Sequence, residues 1–444
     1  MGAALSIFAA ARDAPGAPAL DVDGDVFTFA ELAARTRARI EELVRAHPGD
    51  LPVPLTGAAC ADALVTLYAL FEMRRPALLL HPRLTAPERA DLEAAAARAG
   101  PLPHPDAAAV IFTSGTTGAP RGAVLARAAL EASAAASAAN LGWQADDRWL
   151  LCMPIAHVGG LSIVTRCLIA RRCVVLMPKF DALRLPAAIS ERGVTLASLV
   201  PTMLARALDA NPAWRAPEHL RAILVGGAAL PCALLRRALA QGFALLPSYG
   251  LTESCAQIVA APYAARNDPS ALGSGLPLEG VELRIADGRI EIRGPMLMAG
   301  YWDEPARAPR AWFDTGDLGE IDTRGCLHVH ARRTDLIVTG GENVYPAEVE
   351  RALEALPGIR AAGVFGIASD EWGQEVAAAV VATLPPQDAD LAARIAACLA
   401  PHKRPRHVCY VAELPHTAGG KLDRAALAAF AASLRPLPHS ASVV

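Results

Sequence analysis

From Ala107 onward, short apolar runs (Ala108–Phe112, Cys173–Met177, Leu196–Val200 and Ala222–Val225) alternate with alanine-rich segments of helix length. Unbroken apolar runs of this kind mark strands covered on both faces, and helix-length spacers are what parallel neighbours need between them. The pattern predicts strand–helix–strand units and an α/β fold: a large N-terminal domain of parallel sheets flanked by helices. The texture differs on either side. Upstream, a helical pattern around Glu31–Val44 precedes a Pro/His-rich stretch, Leu78–Pro105, which reads as a connector or a set of short turns. Downstream, Gly and Pro punctuate short alternating strands between Gly273 and Val329 (Val281–Ile285, Arg289–Ile292, Leu327–Val329), which predicts a small β-barrel piece. After Arg332 comes an α+β unit: helix Pro346–Leu356, strands Ala361–Gly366 and Val376–Ala382, helix Asp388–Leu399, a helix after Lys421, and a loose tail from Arg435 to Val444. The expected division is therefore residues 1–331, a hinge at 332–335, and a C-terminal domain at 336–444.

Several function classes fall away. Over 444 residues, 42 Lys and Arg stand against 45 Asp and Glu, a formal charge of −3 that suits no nucleic-acid coat. Mean hydropathy is positive at +0.28. Yet the longest stretch without a charged residue runs only from Trp149 to Thr165 and contains Pro154, His157 and a Gly pair, short of the roughly 20 apolar residues a spanning helix needs. No membrane segment is expected. The start, Met-Gly-Ala-Ala-Leu-Ser, matches a myristoylation pattern that arises easily by chance and lacks the charge of a secretory signal. Nine scattered cysteines without a Cys-x-x-Cys pair predict free thiols in a reducing cytoplasm and no structural zinc.

The strongest chemical signal is Thr113-Ser114-Gly115-Thr116-Thr117-Gly118-Ala119-Pro120-Arg121-Gly122, directly after the apolar run Ala108–Phe112 and before a helix-like segment. Hydroxyls and glycines at this density let backbone N–H and side-chain O–H groups surround a phosphate. It is not a Walker A loop, because no Gly-Lys-Ser/Thr follows, and a P-loop NTPase is disfavoured.

The run resembles the phosphate loop of the acyl-adenylate-forming superfamily, and further segments similar to that superfamily's motifs follow in order. Pro154-Ile155-Ala156-His157 resembles the segment bordering the carboxylate pocket, and Val225-Gly226-Gly227-Ala228 the loop beside the adenine. Ser248-Tyr249-Gly250-Leu251-Thr252-Glu253 is similar to the motif whose Tyr packs on adenine, whose Thr meets the phosphate and whose Glu holds Mg²⁺. Thr315-Gly316-Asp317 resembles the turn whose Asp binds the ribose, and Ala331-Arg332-Arg333-Thr334-Asp335 the hinge. Gly340-Gly341 resembles the glycine pair of a pantetheine tunnel, and Pro415 to Arg424 the loop carrying a catalytic lysine, here Lys421. The resemblance implies ATP, Mg²⁺ and CoA as cofactor and co-substrates. It also implies a C-terminal domain that is mobile about Thr334.

The chemistry accounts for the residue types. A carboxylate oxygen attacks the α-phosphorus while pyrophosphate leaves, so developing charge must meet cations and aligned donors. The resemblance assigns catalysis to Lys421, Thr252, Glu253 and His157, and the metal to Thr116 and Glu253. Nucleotide contacts fall to Thr113, Ser114, Gly115, Thr116, Thr117, Gly118, Arg121, Gly227, Ala228, Ser248, Tyr249, Gly250, Asp317 and Arg332. His157, Gly159, Arg166, Gly226 and Gly250 would line the acid pocket, and Gly340 and Gly341 the CoA tunnel. Alone, Glu253 would read as a surface carboxylate, Lys421 as a solvated loop charge and the glycine pair as a strand bulge. Cys152 and Cys255 read as buried fillers.

Within the superfamily the chain looks most like the o-succinylbenzoate–CoA ligase branch of menaquinone biosynthesis, whose acid carries two carboxylates. Arg166, nine residues beyond His157, is the candidate for holding the carboxylate that is not activated; its plain alternative is a helix-surface arginine. Departures from the pattern are Arg121 for the usual Lys, Ala331 for Gly, Ala156 for an aromatic, and Ala126-Arg127 for Thr-His. Three readings stay open: an acid–CoA ligase, a stand-alone enzyme that loads a carrier protein, and a non-catalytic binder of nucleotide or acyl-adenylate. A homodimer is compatible with all three.

Overall fold

In the computed structural model the described residues are 4–98, 100, 102, 104–114, 120–308, 310–332, 335–339, 342–369, 372–383, 386–417 and 420–438. A nine-stranded sheet runs in the order 276–277, 256–260, 245–251, 222–225, 196–199, 148–151, 173–176, 18–22 and 25–28. A five-stranded sheet runs in the order 300–301, 120–126, 107–114, 77–80 and 53–56. Both are mixed rather than purely parallel. Cys173–Leu176, Leu196–Leu199 and Ala222–Val225 pair parallel with their neighbours, and Ala107–Ser114 pairs parallel with Ala77–Leu80 but antiparallel with Pro120–Ala126; toward both ends of the nine-stranded sheet, 18–22 with 25–28 and 245–251 with 256–260 are antiparallel.

The two sheets share one core. Helix Ala61–Glu72 is buried at every position from Ala63 to Phe71. A helix apolar all round has no solvent face, so it lies between layers, with Leu64 and Leu67 packed in one cluster with Leu79 and Ile111 of one sheet and Trp149 and Leu176 of the other. Helix Val158–Ala170, buried from Gly160 to Leu168, joins the same cluster.

Several expectations are corrected. Leu78–Pro105 is no connector: it contains strand Ala77–Leu80, buried at all four positions, and helix Ala86–Arg98. Pro82 and Pro105 fall at turns and Pro87 in the first helical turn, where they are tolerated, and they masked the strand. The segment after the hydroxyl-rich loop is strand Pro120–Ala126, paired antiparallel with Ala107–Ser114, so the loop closes a hairpin instead of opening a helix. The barrel-like piece is a four-stranded antiparallel sheet in linear order, 282–286, 289–293, 313–321 and 327–332, with no ladder from first to last strand among the described residues. The tail is partly docked: Arg435–Pro436 pairs with His407–Tyr410 and Leu437 is 4% exposed.

Sheet membership changes between Arg332 and Ile337. Strand Leu327–Arg332 closes the antiparallel sheet, and Ile337–Thr339 opens a separate sheet with Glu342–Val344, Gly373–Ala382, His407–Tyr410, Arg435–Pro436 and Ile359–Ser369. That sheet has its own apolar clusters, around Val349 and Val380 on one side and Phe365 and Leu427 on the other. Among the described residues no helix is long and apolar enough to cross a membrane.

Candidate active site

The topology opens a crevice at the carboxyl ends of two neighbouring strands. Strand Arg148–Leu151 continues through helix Val158–Ala170 to a strand on one side of it, while Leu196–Leu199 continues through helix Pro201–Ala210 to Ala222–Val225 on the other. Loops that diverge from adjacent parallel strands leave a ligand-sized gap. His157 caps the first helix, Thr202 lies in the first turn of the second, and Gly226–Ala228 follow the third strand, so all three border this gap.

His157 is half-buried, with its ring centroid 4.9 Å from that of His81, at the end of strand Ala77–Leu80. Burial, then the charges of His81, Lys421 and Arg83, push the His157 imidazole down to about 4, so it is neutral at physiological pH. The C-terminal loop has come to the crevice. There the Thr202 hydroxyl donates to the Gly420 carbonyl at 3.1 Å. Gly420 has φ +77°, and a Cβ on it would lie 2.8 Å from Thr202 Oγ1, so only glycine allows this approach. Ion pairs Arg206–Glu413 at 3.8 Å and Arg360–Asp209 at 3.5 Å join the same two surfaces.

Arg166 lies inside the core on helix Val158–Ala170. It is 3% exposed, its guanidinium carbon is 5.5 Å from the Trp149 ring, and its Nε and Nη2 have no hydrogen-bond partner among the described residues. Desolvation pulls its guanidinium down to about 10. It is thus a core residue and not a helix-surface arginine.

A second group sits on strand Leu245–Leu251 and the single turn Thr252–Ser254. The Tyr249 hydroxyl donates to Asp317 Oδ2 at 2.7 Å, joining the residues expected to meet adenine and ribose. Asp317 pairs with Arg332 across the ladder. A Cβ on Gly250 would fall 2.0 Å from the Ala256 carbonyl oxygen, so a side chain there would displace the backbone that carries Glu253. The Ser248 hydroxyl donates to the Val225 carbonyl at 3.3 Å, tying this strand to the Gly226 loop. Glu253 Oε1 accepts from Tyr301 at 2.9 Å. No group of three or more metal-ligating side chains occurs among the described residues. One hard carboxylate beside a phosphate loop fits Mg²⁺, which keeps waters and takes phosphate oxygens instead of needing a protein cage.

Other expected residues are placed as follows. Thr113 is the penultimate residue of strand Ala107–Ser114, and its hydroxyl donates to the Arg121 carbonyl at 3.4 Å. Arg121 is ion-paired with Glu304 and lies 3.4 Å from the Tyr301 ring centroid. Gly159 is in the first turn of the His157-capped helix. Cys152 and Cys255 are buried, 2% and 1% exposed. Gly115, Thr116, Thr117, Gly118, Thr334, Gly340 and Gly341 lie outside the described residues, as do the side chains of Ser114 and Arg332. The strands flanking the glycine pair are matched Thr339 to Glu342 in an antiparallel hairpin. Sequence reasoning missed His81, Thr202 and Tyr301, each brought to the site by topology across long sequence separations.

Comparison with known proteins agrees with this layout. Residues 90–302 match the AMP-binding enzyme family and residues 348–421 the AMP-binding enzyme C-terminal domain. A 2-succinylbenzoate–CoA ligase of Bacillus mycoides is 38% identical over 335 residues, 72% of this chain and 69% of that protein. One from Bacillus pumilus is 40% identical over 332 residues, 71% of this chain and 68% of that protein. Among solved structures, o-succinylbenzoate CoA synthetase from Bacillus subtilis, in complex with its acyl-adenylate intermediate, superposes with a TM-score of 0.84 at 31% identity, covering 95% of this chain and 97% of that one. ATP-bound MatB from Rhodopseudomonas palustris gives 0.84 at 27%, covering 97% and 99%. The order of motifs, the crevice they border and these matches lead to one conclusion: the chain belongs to the AMP-binding enzyme family.

Proposed function

We propose that this chain is an ATP-dependent acid–CoA ligase whose acid is a dicarboxylate of the o-succinylbenzoate kind. The observation that carries the acid assignment is Arg166, a buried guanidinium whose Nε and Nη2 have no partner among the described residues, on the helix that His157 caps. A buried cation without an acid partner is costly, and a distal carboxylate supplies what is missing. The relatives are acid–thiol ligases that act through an adenylate, which supports the reaction class.

In this reading the acid's reacting carboxylate lies beside neutral His157 and its other end meets Arg166. Tyr249 and Asp317 take the nucleoside. Thr252, Arg121 and the hydroxyl-rich loop take the phosphates. Glu253 would hold Mg²⁺, which supplies charge neutralisation on those phosphates when bound. Lys421, brought in by the Thr202–Gly420 contact, meets the charge that develops as the carboxylate attacks the α-phosphorus and pyrophosphate leaves. The CoA thiol then attacks the acyl carbonyl and AMP leaves, with Gly340 and Gly341 lining its approach after the C-terminal domain turns about residues 332–335. The reaction is placed in the cytoplasm.

The test is pyrophosphate release with MgATP across o-succinylbenzoate, benzoates, malonate and fatty acids, with and without CoA. CoA-dependent turnover fastest with o-succinylbenzoate is expected; preference for a monoacid would refute the role of Arg166. Competition between free CoA and a carrier-borne pantetheine would identify the acceptor.

A further inference from the structure

Tyr301 lies in the two-residue strand Gly300–Tyr301, registered on Ala123 of strand Pro120–Ala126. Residues two apart on a strand share a face, so Arg121 falls diagonal to Tyr301, and its guanidinium sits 3.4 Å from the ring centroid. Arg121 also pairs with Glu304, three residues beyond Tyr301. On the other side the Tyr301 hydroxyl donates to Glu253 Oε1 at 2.9 Å, and the nearby Met298 N–H donates to the Glu253 carbonyl at 2.7 Å. The segment 298–304 therefore holds the backbone and carboxylate of Glu253 together with the cation of the phosphate loop.

We propose that Tyr301 is a positioning residue that fixes the Glu253 carboxylate for the metal and Arg121 for the phosphates at a set separation. The inference rests on reading Glu253 as the Mg²⁺ carboxylate. Among the described residues, Tyr301 is the only side chain bonded to that carboxylate. Glu253 stands on an isolated turn followed by Cys255 and Ala256, at φ +53° and +102°, a backbone with no helix to hold its side chain in one rotamer. A single phenol donor orients the group yet occupies only one oxygen, leaving the other open to a cation. Carboxylate ligands held this way by an outer partner bind metal better, and losing the partner costs about 10–100-fold in affinity. The ring does separate work, because the guanidinium lies over its face whether or not the hydroxyl is present.

Tyr301→Phe and Tyr301→Leu divide the two roles. Mn²⁺ binding to the protein–ATP complex, followed by electron paramagnetic resonance, reads metal affinity without turnover. KM values for ATP and acid, and melting temperatures, are measured alongside. Tyr301→Phe is expected to weaken Mn²⁺ about tenfold with the acid KM and melting temperature unchanged. Tyr301→Leu should add a rise in the ATP KM, and Glu253→Gln should weaken Mn²⁺ at least as much as Tyr301→Phe. If Glu253→Gln weakens Mn²⁺ and Tyr301→Phe does not, the positioning role is overturned while the metal reading of Glu253 stands. If Glu253→Gln leaves Mn²⁺ unchanged, both fall.

Discussion

Replacing Arg166 by Met should stabilise the free protein while weakening the diacid. Burial takes the guanidinium well below its ordinary value, to about 10. At 1.36 kcal/mol per unit, holding the charge in the core costs about 3 kcal/mol. The sign follows from linkage: a base whose folded value lies below its unfolded value suffers no penalty above the unfolded value, and the full penalty below about 10, hence throughout the working range. The Trp149 ring at 5.5 Å returns about 1 kcal/mol. Methionine fills a similar volume and needs no partner, so the net gain is about 2 kcal/mol. Urea denaturation without ligands would read that gain. The same variant loses a charge-assisted hydrogen bond to the distal carboxylate, worth about 1.5–3 kcal/mol, a 10–100-fold rise in KM for o-succinylbenzoate against little change for benzoate. A destabilised Arg166→Met would refute the reasoning, because it would mean the guanidinium is already satisfied within the folded chain.

Three further outcomes follow from the proposed roles. Lys421→Ala should abolish adenylate formation, read by pyrophosphate–ATP exchange, yet spare thioester formation from supplied acyl-adenylate; equal loss of both would remove Lys421 from the first step. Gly341→Leu should do the reverse, blocking CoA-thioester formation while leaving exchange intact. Because burial holds His157 at about 4 against 6.5 when unfolded, stability is unaffected above about pH 6.5 and falls as the pH drops toward 4, by about 3 kcal/mol in all. His157→Asn should therefore flatten the acid limb of a stability-versus-pH curve measured by thermal melting, and an unchanged limb would place the imidazole in solvent.

Legibility in the sequence tracked how local the physics was. Ala222–Val225 was read to the residue, because a fully buried strand leaves an unbroken apolar run. The strand Ala77–Leu80 is as buried but was hidden by the Pro and His residues after it. The hairpin at Pro120–Ala126 escaped because its apolar run continues into the helix Arg127–Leu141 without punctuation. Motif residues such as Tyr249 and Asp317 could be named, but their mutual hydrogen bond could not. Tyr301 gave no local sign at all, since its partner Glu253 is 48 positions away and only the pairing of strand Gly300–Tyr301 with Pro120–Ala126 brings Tyr301 beside Arg121. Arg166 could be proposed only by resemblance; its burial and unpartnered nitrogens are tertiary facts.

Among the described residues, the contact that brings the Lys421 loop to the crevice includes the Thr202–Gly420 hydrogen bond and two ion pairs at 3.5 and 3.8 Å, between side chains 46–76% exposed. Such pairs contribute at most about 1 kcal/mol each, and a neutral hydrogen bond about 1. A clasp of this strength leaves docked and released arrangements within roughly a hundredfold of each other in population. Occupancy of the crevice can then decide between them, because a ligand need favour one arrangement by only a few kcal/mol to reverse the balance. Salt would act as a second control, since both ion pairs are open to screening over a Debye length of about 8 Å at physiological strength.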